Sequence, residues 1–175
     1  MEQRRPFAFT AGRRLFAWFV RLGVSEPEFR ERVHMCAVIR CFPGRDPKAG
    51  GDRVPSPEEI ANCAAHLDRE IALLAPRLVI AVGTLAAQAL GVGRGAQRAP
   101  AAKGARCAPL QDVVGRVHRV TRAGRTFDVV VLPHPSGRST WTNKPKNAAL
   151  LARSLELIGA HAAWRKTFSS RRPRA

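Results

Sequence analysis

Two stretches of the chain, Leu78 to Val82 and Val129 to Leu132, carry no polar side chain at all. A strand with one face in water alternates apolar and polar residues. A strand covered on both faces need not, and unbroken runs of Val, Ile and Leu mark sheets buried between two layers of helices. These runs therefore demand helices on both sides, and the intervening sequence offers them.

Ala11 to Gly23, AGRRLFAWFVRLG, sets Leu15, Phe16, Phe19, Val20 and Leu22 at helical spacing and ends on a glycine suited to a left-handed cap. Val33 to Ile39, VHMCAVI, is a short β-rich run and reads as a central strand. Pro43 to Pro55 is dense in Gly, Pro and charge and reads as a loop. Ser56 then caps a helix with Pro57 in its first position and Glu59 completing a capping box. The stripe Ile60, Cys63, Ala64, Leu67, Ile71 and Leu74 runs until Pro76 stops it. After the run ending at Gly83, Thr84 can cap a short helix. Val113 to Val120 and Asp128 to Leu132 read as two strands turning at Ala123, Gly124 and Arg125, and a last helix runs from about Asn147 to Trp164.

Strands alternating with helices predict an α/β fold, a three-layer sandwich around a mostly parallel central sheet. Residues 1–164 form the domain, residues 91–108 are too rich in Gly, Ala, Pro and basic residues to pack and read as a flexible insertion, and residues 165–175 read as a basic disordered tail. In such sheets ligands sit at the carboxyl ends of strands. Cys41, Phe42 and Pro43, then Gly83 and Thr84, then His134 and Ser136 all fall at such ends, so one cleft is expected to gather them.

Composition says what that cleft meets. Thirty Lys and Arg against thirteen Asp and Glu leave a net charge of +17, mostly as arginine, whose planar fork suits phosphate. Nucleic acid is the partner implied. No run of eighteen apolar residues exists and the N-terminus lacks the apolar core of a signal peptide, so a cytoplasmic protein, monomeric and without a membrane partner, is expected. Four cysteines are too few for a disulfide framework and read as thiols or metal ligands.

The strand at 128–132 stops at Pro133, His134, Pro135, Ser136 and Gly137. The prolines fix two backbone torsions and push the residues before them into extended conformations, so the imidazole is aimed by stiff chain. Ser136 and Gly137 add a hydroxyl and an open backbone, and Arg138, Ser139, Thr140, Trp141 and Asn143 add charge, hydroxyls and an aromatic plane, a set suited to a bent nucleotide strand. His34, His66, His118 and His161 lie in strand-like or helical runs and read as structural or solvated.

LPHPSGRSTW resembles the second signature of the uracil-DNA glycosylase superfamily, in which a His-Pro-Ser or His-Pro-Ala loop follows the last strand. RRPFAFTAGRRLF resembles the region after that superfamily's first catalytic motif. VIRCFPGRD and PSPEEIANCAAHLDREIALLAPRLVIAVG resemble the middle of its iron-sulfur branch, so that the likeness covers roughly Arg5 to Gly159. It implies a base-excision enzyme that hydrolyses the N-glycosidic bond of uracil or a related damaged base in DNA. It assigns His134 to the uracil carbonyl oxygen, Phe7 to stacking on the ring, and Ser136, Gly137, Arg138, Ser139 and Trp141 to the DNA. It assigns Cys41 and Cys63 to two of the four thiolates of a 4Fe-4S cluster.

Two departures accompany the likeness. The family's water-positioning Gly, acidic or Gln, Ala-Pro-Gly loop, the strand before it and two further cluster cysteines would precede PFAFTAG, so the chain resembles a member shortened at its N-terminus and its cluster is expected to be incomplete. Ala37 stands where close relatives carry an asparagine that reads the uracil edge. Cys36 reads as a core residue and Cys107 as part of the insertion. The alternatives are a catalytically weak or inactive nucleic-acid-binding module using the same basic cleft, and a zinc site at Cys41 and Cys63.

Overall fold

The computed structural model describes residues 7–8, 10–48, 51–93, 108–136 and 139–169. In chain order it has α1 (Thr10–Val20), α2 (Glu26–Arg32), α3 (Pro57–Leu74), β1 (Leu78–Val82), α4 (Thr84–Ala89), α5 (Leu110–Val113), β2 (Val117–Arg122), β3 (Arg125–Leu132), α6 (Pro145–Ala160) and α7 (Ala162–Phe168). A single 3-10 turn, Trp141–Asn143, precedes α6.

The unbroken apolar runs are the two strands that meet at the middle of the fold. β1 pairs parallel with β3, from Leu78 opposite Asp128 to Val82 opposite Leu132, and β3 pairs antiparallel with β2. The sheet order is β1-β3-β2, so the expected α/β architecture is present with a small mixed sheet in place of a mostly parallel one. The antiparallel member comes from the hairpin at Ala123 and Gly124, whose φ values of 49° and 70° are those of a tight turn matched to strand twist.

Alternation along the end of β3 shows why Val129 to Leu132 admit no polar residue. Val130 and Leu132 pack with Leu15, Phe19, Phe29, Leu155, Ile158 and Trp164 from α1, α2, α6 and α7. Phe127, Val129 and Val131 pack on the other face with Ile71, Ala87, Leu90, Val92 and Val113. Residues 129 to 132 are wholly buried, each contributing about 1.5–3 kcal/mol as a large apolar side chain removed from water. Ser154 serves the same core from α6: its hydroxyl donates to the Val131 carbonyl at 3.0 Å and receives the Gly115 amide at 2.8 Å.

The helix signals are met with small shifts. α1 ends where Gly23 turns left-handed at φ 76°, and α3 begins with the full Ser56–Glu59 capping box. Gly83, not Thr84, is the cap of α4, because a glycine reaches the φ of 87° that links strand to helix. Residues 113–116 close α5 and turn, so β2 starts only at Val117. The basic tail expected from residue 165 begins inside α7, where Trp164 is buried and Phe168 packs against it; residues 170–175 lie outside the described residues. The insertion expected at 91–108 is anchored by Val92, which is buried, and its residues 94–107, Cys107 among them, also lie outside the description.

One expected element is not a strand. Val33 to Ile39 runs without a ladder, although Val33 and Met35 pack against the core. Strand character needs a neighbour to bond, and β1 is the edge of the sheet on this side. Between the two lies a cleft of about 70 Å³ lined by Cys36, Ala37 and Val38 on one wall and Val79, Ile80 and Ala81 on the other. Cys36 is accordingly exposed, not a core residue as its place in an apolar run suggested.

Candidate active site

The loop after β3 is built as its prolines require. Pro133 and Pro135 are fully buried, while His134 between them is exposed. The strand ends of β1 and β3 are locked together by the Gly83 amide, which donates to the Leu132 carbonyl at 2.8 Å. Gly83 also leaves the space the imidazole needs: a methyl group there would stand 3.3 Å from His134 Cβ and 3.4 Å from its Cδ2. Burial against these neighbours pushes the His134 pKa below its ordinary value, so the ring is neutral at pH 7 and one of its nitrogens carries a proton to donate.

Beyond His134 the chain is pinned by backbone groups. Arg14 Nη1, from α1, donates to the Ser136 carbonyl at 2.9 Å, and the Ser139 amide closes on the same carbonyl at 3.1 Å. Trp141 is half-buried, packs against the clusters on both faces of the sheet, and its carbonyl receives Nδ2 of buried Asn147 at 2.9 Å. Lys144 and Lys146 stand exposed at the start of α6, whose first turn has no acidic residue, so positive charge collects at the positive end of the helix dipole. Gly137 and Arg138 lie outside the described residues.

Phe7 is half-buried against the aromatic core, with its carbonyl held by Arg30 Nη2 at 3.3 Å. Gly12 is needed beneath it, since a Cβ there would collide with the Phe7 carbonyl. Two residues further along α1 is Arg14, so the segment that carries Phe7 also grips the His134 loop. Ala37 is exposed on the wall of the cleft facing β1. Cys41 is exposed and Cys63 half-buried; the Arg40 amide points at Cys63 Sγ at 3.4 Å, which brings the turn holding Cys41 beside α3.

His118 and His161 are absorbed by the fold. The first bonds to the Val113 carbonyl at 2.7 Å, and the second accepts the Ala163 amide at the start of α7 while its other nitrogen meets Asp128 at 3.2 Å. Arg14 is the contributor that reading the chain missed, and no local signal could have found it, since it lies 122 positions from its partner.

Comparison with known proteins supplies the chemistry that fits this geometry. A family model described as the Uracil DNA glycosylase superfamily matches residues 1–158. A protein of Pyrobaculum aerophilum named type-4 uracil-DNA glycosylase is 31% identical over 137 residues, covering 77% of this chain and 59% of the relative. One of the same name from Archaeoglobus fulgidus is 26% identical over 131 residues, covering 75% of this chain and 56% of the relative. A third from Thermotoga maritima is 33% identical over 82 residues. The chain thus spans 59% and 56% of the first two relatives' lengths.

Proposed function

Because the chain belongs to the Uracil DNA glycosylase superfamily, we propose that it is a DNA glycosylase of base excision repair, hydrolysing the N-glycosidic bond of uracil or a related damaged base. The observation that carries this reading is the His134 imidazole, neutral and exposed at the end of β3, braced by Gly83 and by two buried prolines.

A base inside a duplex is out of reach, so it must be extruded, at a cost of a few kcal/mol in lost stacking. When the glycosidic bond breaks, its electron pair leaves with the base and water adds to the sugar carbon. A donor already aimed at the carbonyl oxygen of the departing anion lowers the barrier without reorganisation, and removing one such donor costs about 10²–10³ in rate. His134 fills this role. The neutral ring suits it, because a half-desolvated site penalises an imidazolium while a neutral N–H can donate at once.

Phe7 would stack on the extruded ring, and Ser136, Gly137, Arg138, Ser139 and Trp141 would follow the DNA strand, with Arg14 fixing the loop and Lys144 and Lys146 adding charge at its far end. Ala37 offers a methyl group where an amide would read a base edge, so discrimination between uracil and other pyrimidines should be weak. Residues 1–164 would act as one domain, a monomer in the cytoplasm; no helix among the described residues is long and apolar enough to cross a membrane.

The residues fit an iron-sulfur cluster only in part. A 4Fe-4S cluster takes four thiolates, and the described residues offer Cys63 on α3 and Cys41 in the turn beside it, with Cys36 grouped instead with His34 and Glu70.

The test is a duplex carrying one uracil, incubated with the protein and then treated with alkali to cut abasic sites. Cleavage at uracil is expected, and a thymine duplex run beside it reads how far Ala37 weakens the discrimination. Salt-dependent binding indifferent to uracil, with no cleavage, would replace the enzyme by a nucleic-acid-binding module.

A further inference from the structure

We propose that His34, Cys36 and Glu70 form a binding site for a single Zn²⁺ ion, separate from the His134 loop and from the Cys41–Cys63 pair. His34 and Cys36 are two positions apart on segment 33–39, which brings their ligand atoms to the same place. Glu70 comes from α3. One ligand atom from each residue lies within 4.8 Å of the others.

The donor set is one imidazole nitrogen, one thiolate sulfur and one carboxylate oxygen, a mixture that suits zinc better than calcium or magnesium, which take oxygen. Around a tetrahedral zinc with bonds of about 2.0–2.3 Å, ligand atoms stand about 3.3–3.6 Å apart. His34 Nε2 and Glu70 Oε1 already stand at 3.6 Å, too far for a hydrogen bond and right for two ligands of one ion. Cys36 and His34 are exposed, so the remaining closure asks only for side-chain rotation.

The second oxygen of Glu70 is occupied: Arg40 Nη2 holds Oε2 at 2.6 Å. That pairing directs Oε1 towards His34 and gives the ligating carboxylate the kind of outer partner that metal-bound carboxylates have. Three protein ligands leave a fourth position for water. A bound ion would also tie segment 33–39 to α3 across the end of the cleft beside β1.

The experiment strips the full chain with a chelator and titrates it with zinc against a chromophoric indicator, then with Co²⁺ to read the thiolate-to-metal absorption band. One ion per chain is expected in the wild type and in the Cys41→Ser/Cys63→Ser double variant. Cys36→Ser should abolish the thiolate band, and His34→Ala and Glu70→Gln should each weaken zinc binding at least tenfold. Circular dichroism identifies any variant that has lost its fold, and His34→Ala, at an exposed position, keeps the test open if Cys36→Ser is one of them. Zinc retained in Cys36→Ser and His34→Ala but lost in the double variant would overturn the proposal, as would no binding by the wild type at micromolar zinc. Neither outcome bears on base excision, which is read by cleavage of DNA.

Discussion

Replacing Gly83 by alanine should damage both the fold and the site, and the structure gives the size of the effect. The residue sits at φ 87° and ψ 167°, a region open essentially to glycine alone, where another residue costs about 1–3 kcal/mol. The new methyl would also meet His134 at 3.3 Å and 3.4 Å, so the imidazole must retreat by a few tenths of an ångström. The Gly83 amide cannot move away to relieve this, because it holds the Leu132 carbonyl at 2.8 Å. At about 2–4 °C per kcal/mol for a chain of this size, Tm should fall by about 2–12 °C in a thermal melt followed by circular dichroism. Gly124→Ala is the control: its φ of 70° is also positive, but nothing lies within 4 Å of the added methyl, so it should lose stability while leaving uracil release unchanged. Gly83→Ala with wild-type Tm and wild-type release would refute the claim that this glycine makes room for His134.

Further outcomes follow from single contacts. Ser154→Ala leaves the Val131 carbonyl and the Gly115 amide without their partner inside the core and should cost about 1–3 kcal/mol in urea unfolding at unchanged slope. Ile158→Ala, at a wholly buried position against β3, should cost about 2–5 kcal/mol by the same measurement. The hydrogen bond from Arg53 holds the Glu59 carboxyl at a pKa of about 2, below its ordinary 4.5. Because the folded value is the lower one, the pair's contribution is complete above pH 4.5 and is lost as pH falls towards 2. Arg53→Gln should therefore flatten the decline of stability with pH across that window, and an unchanged acid profile would show that the pair contributes nothing.

What the sequence disclosed was whatever depends on neighbours along the chain. The apolar runs of β1 and β3, the capping box at Ser56 and the left-handed Gly23 are each set by a few adjacent residues, and each is where its pattern indicated. Segment 33–39 has the composition of a strand, but being a strand is a property of a pair, and the facing edge of β1 lies across a cleft from it. Composition likewise put Cys36 in the core, whereas the same cleft leaves it exposed beside Glu70. The site divides along the same line. The stiffened His134 was legible from Pro133 and Pro135, but the grip of Arg14 on Ser136 and the space left by Gly83 arise from packing between distant segments and leave no local trace.

The central claim is that the His134 imidazole stabilises the base as it departs. The most direct measurement is the single-turnover rate of uracil release from a duplex by the wild type and by His134→Ala, with DNA affinity measured alongside. The account predicts release that falls about 10²–10³-fold in the variant while affinity stays within a few fold, because the arginines and lysines proposed to meet the phosphates are untouched. Equal rates in the two proteins, or a loss explained wholly by weaker binding, would contradict it.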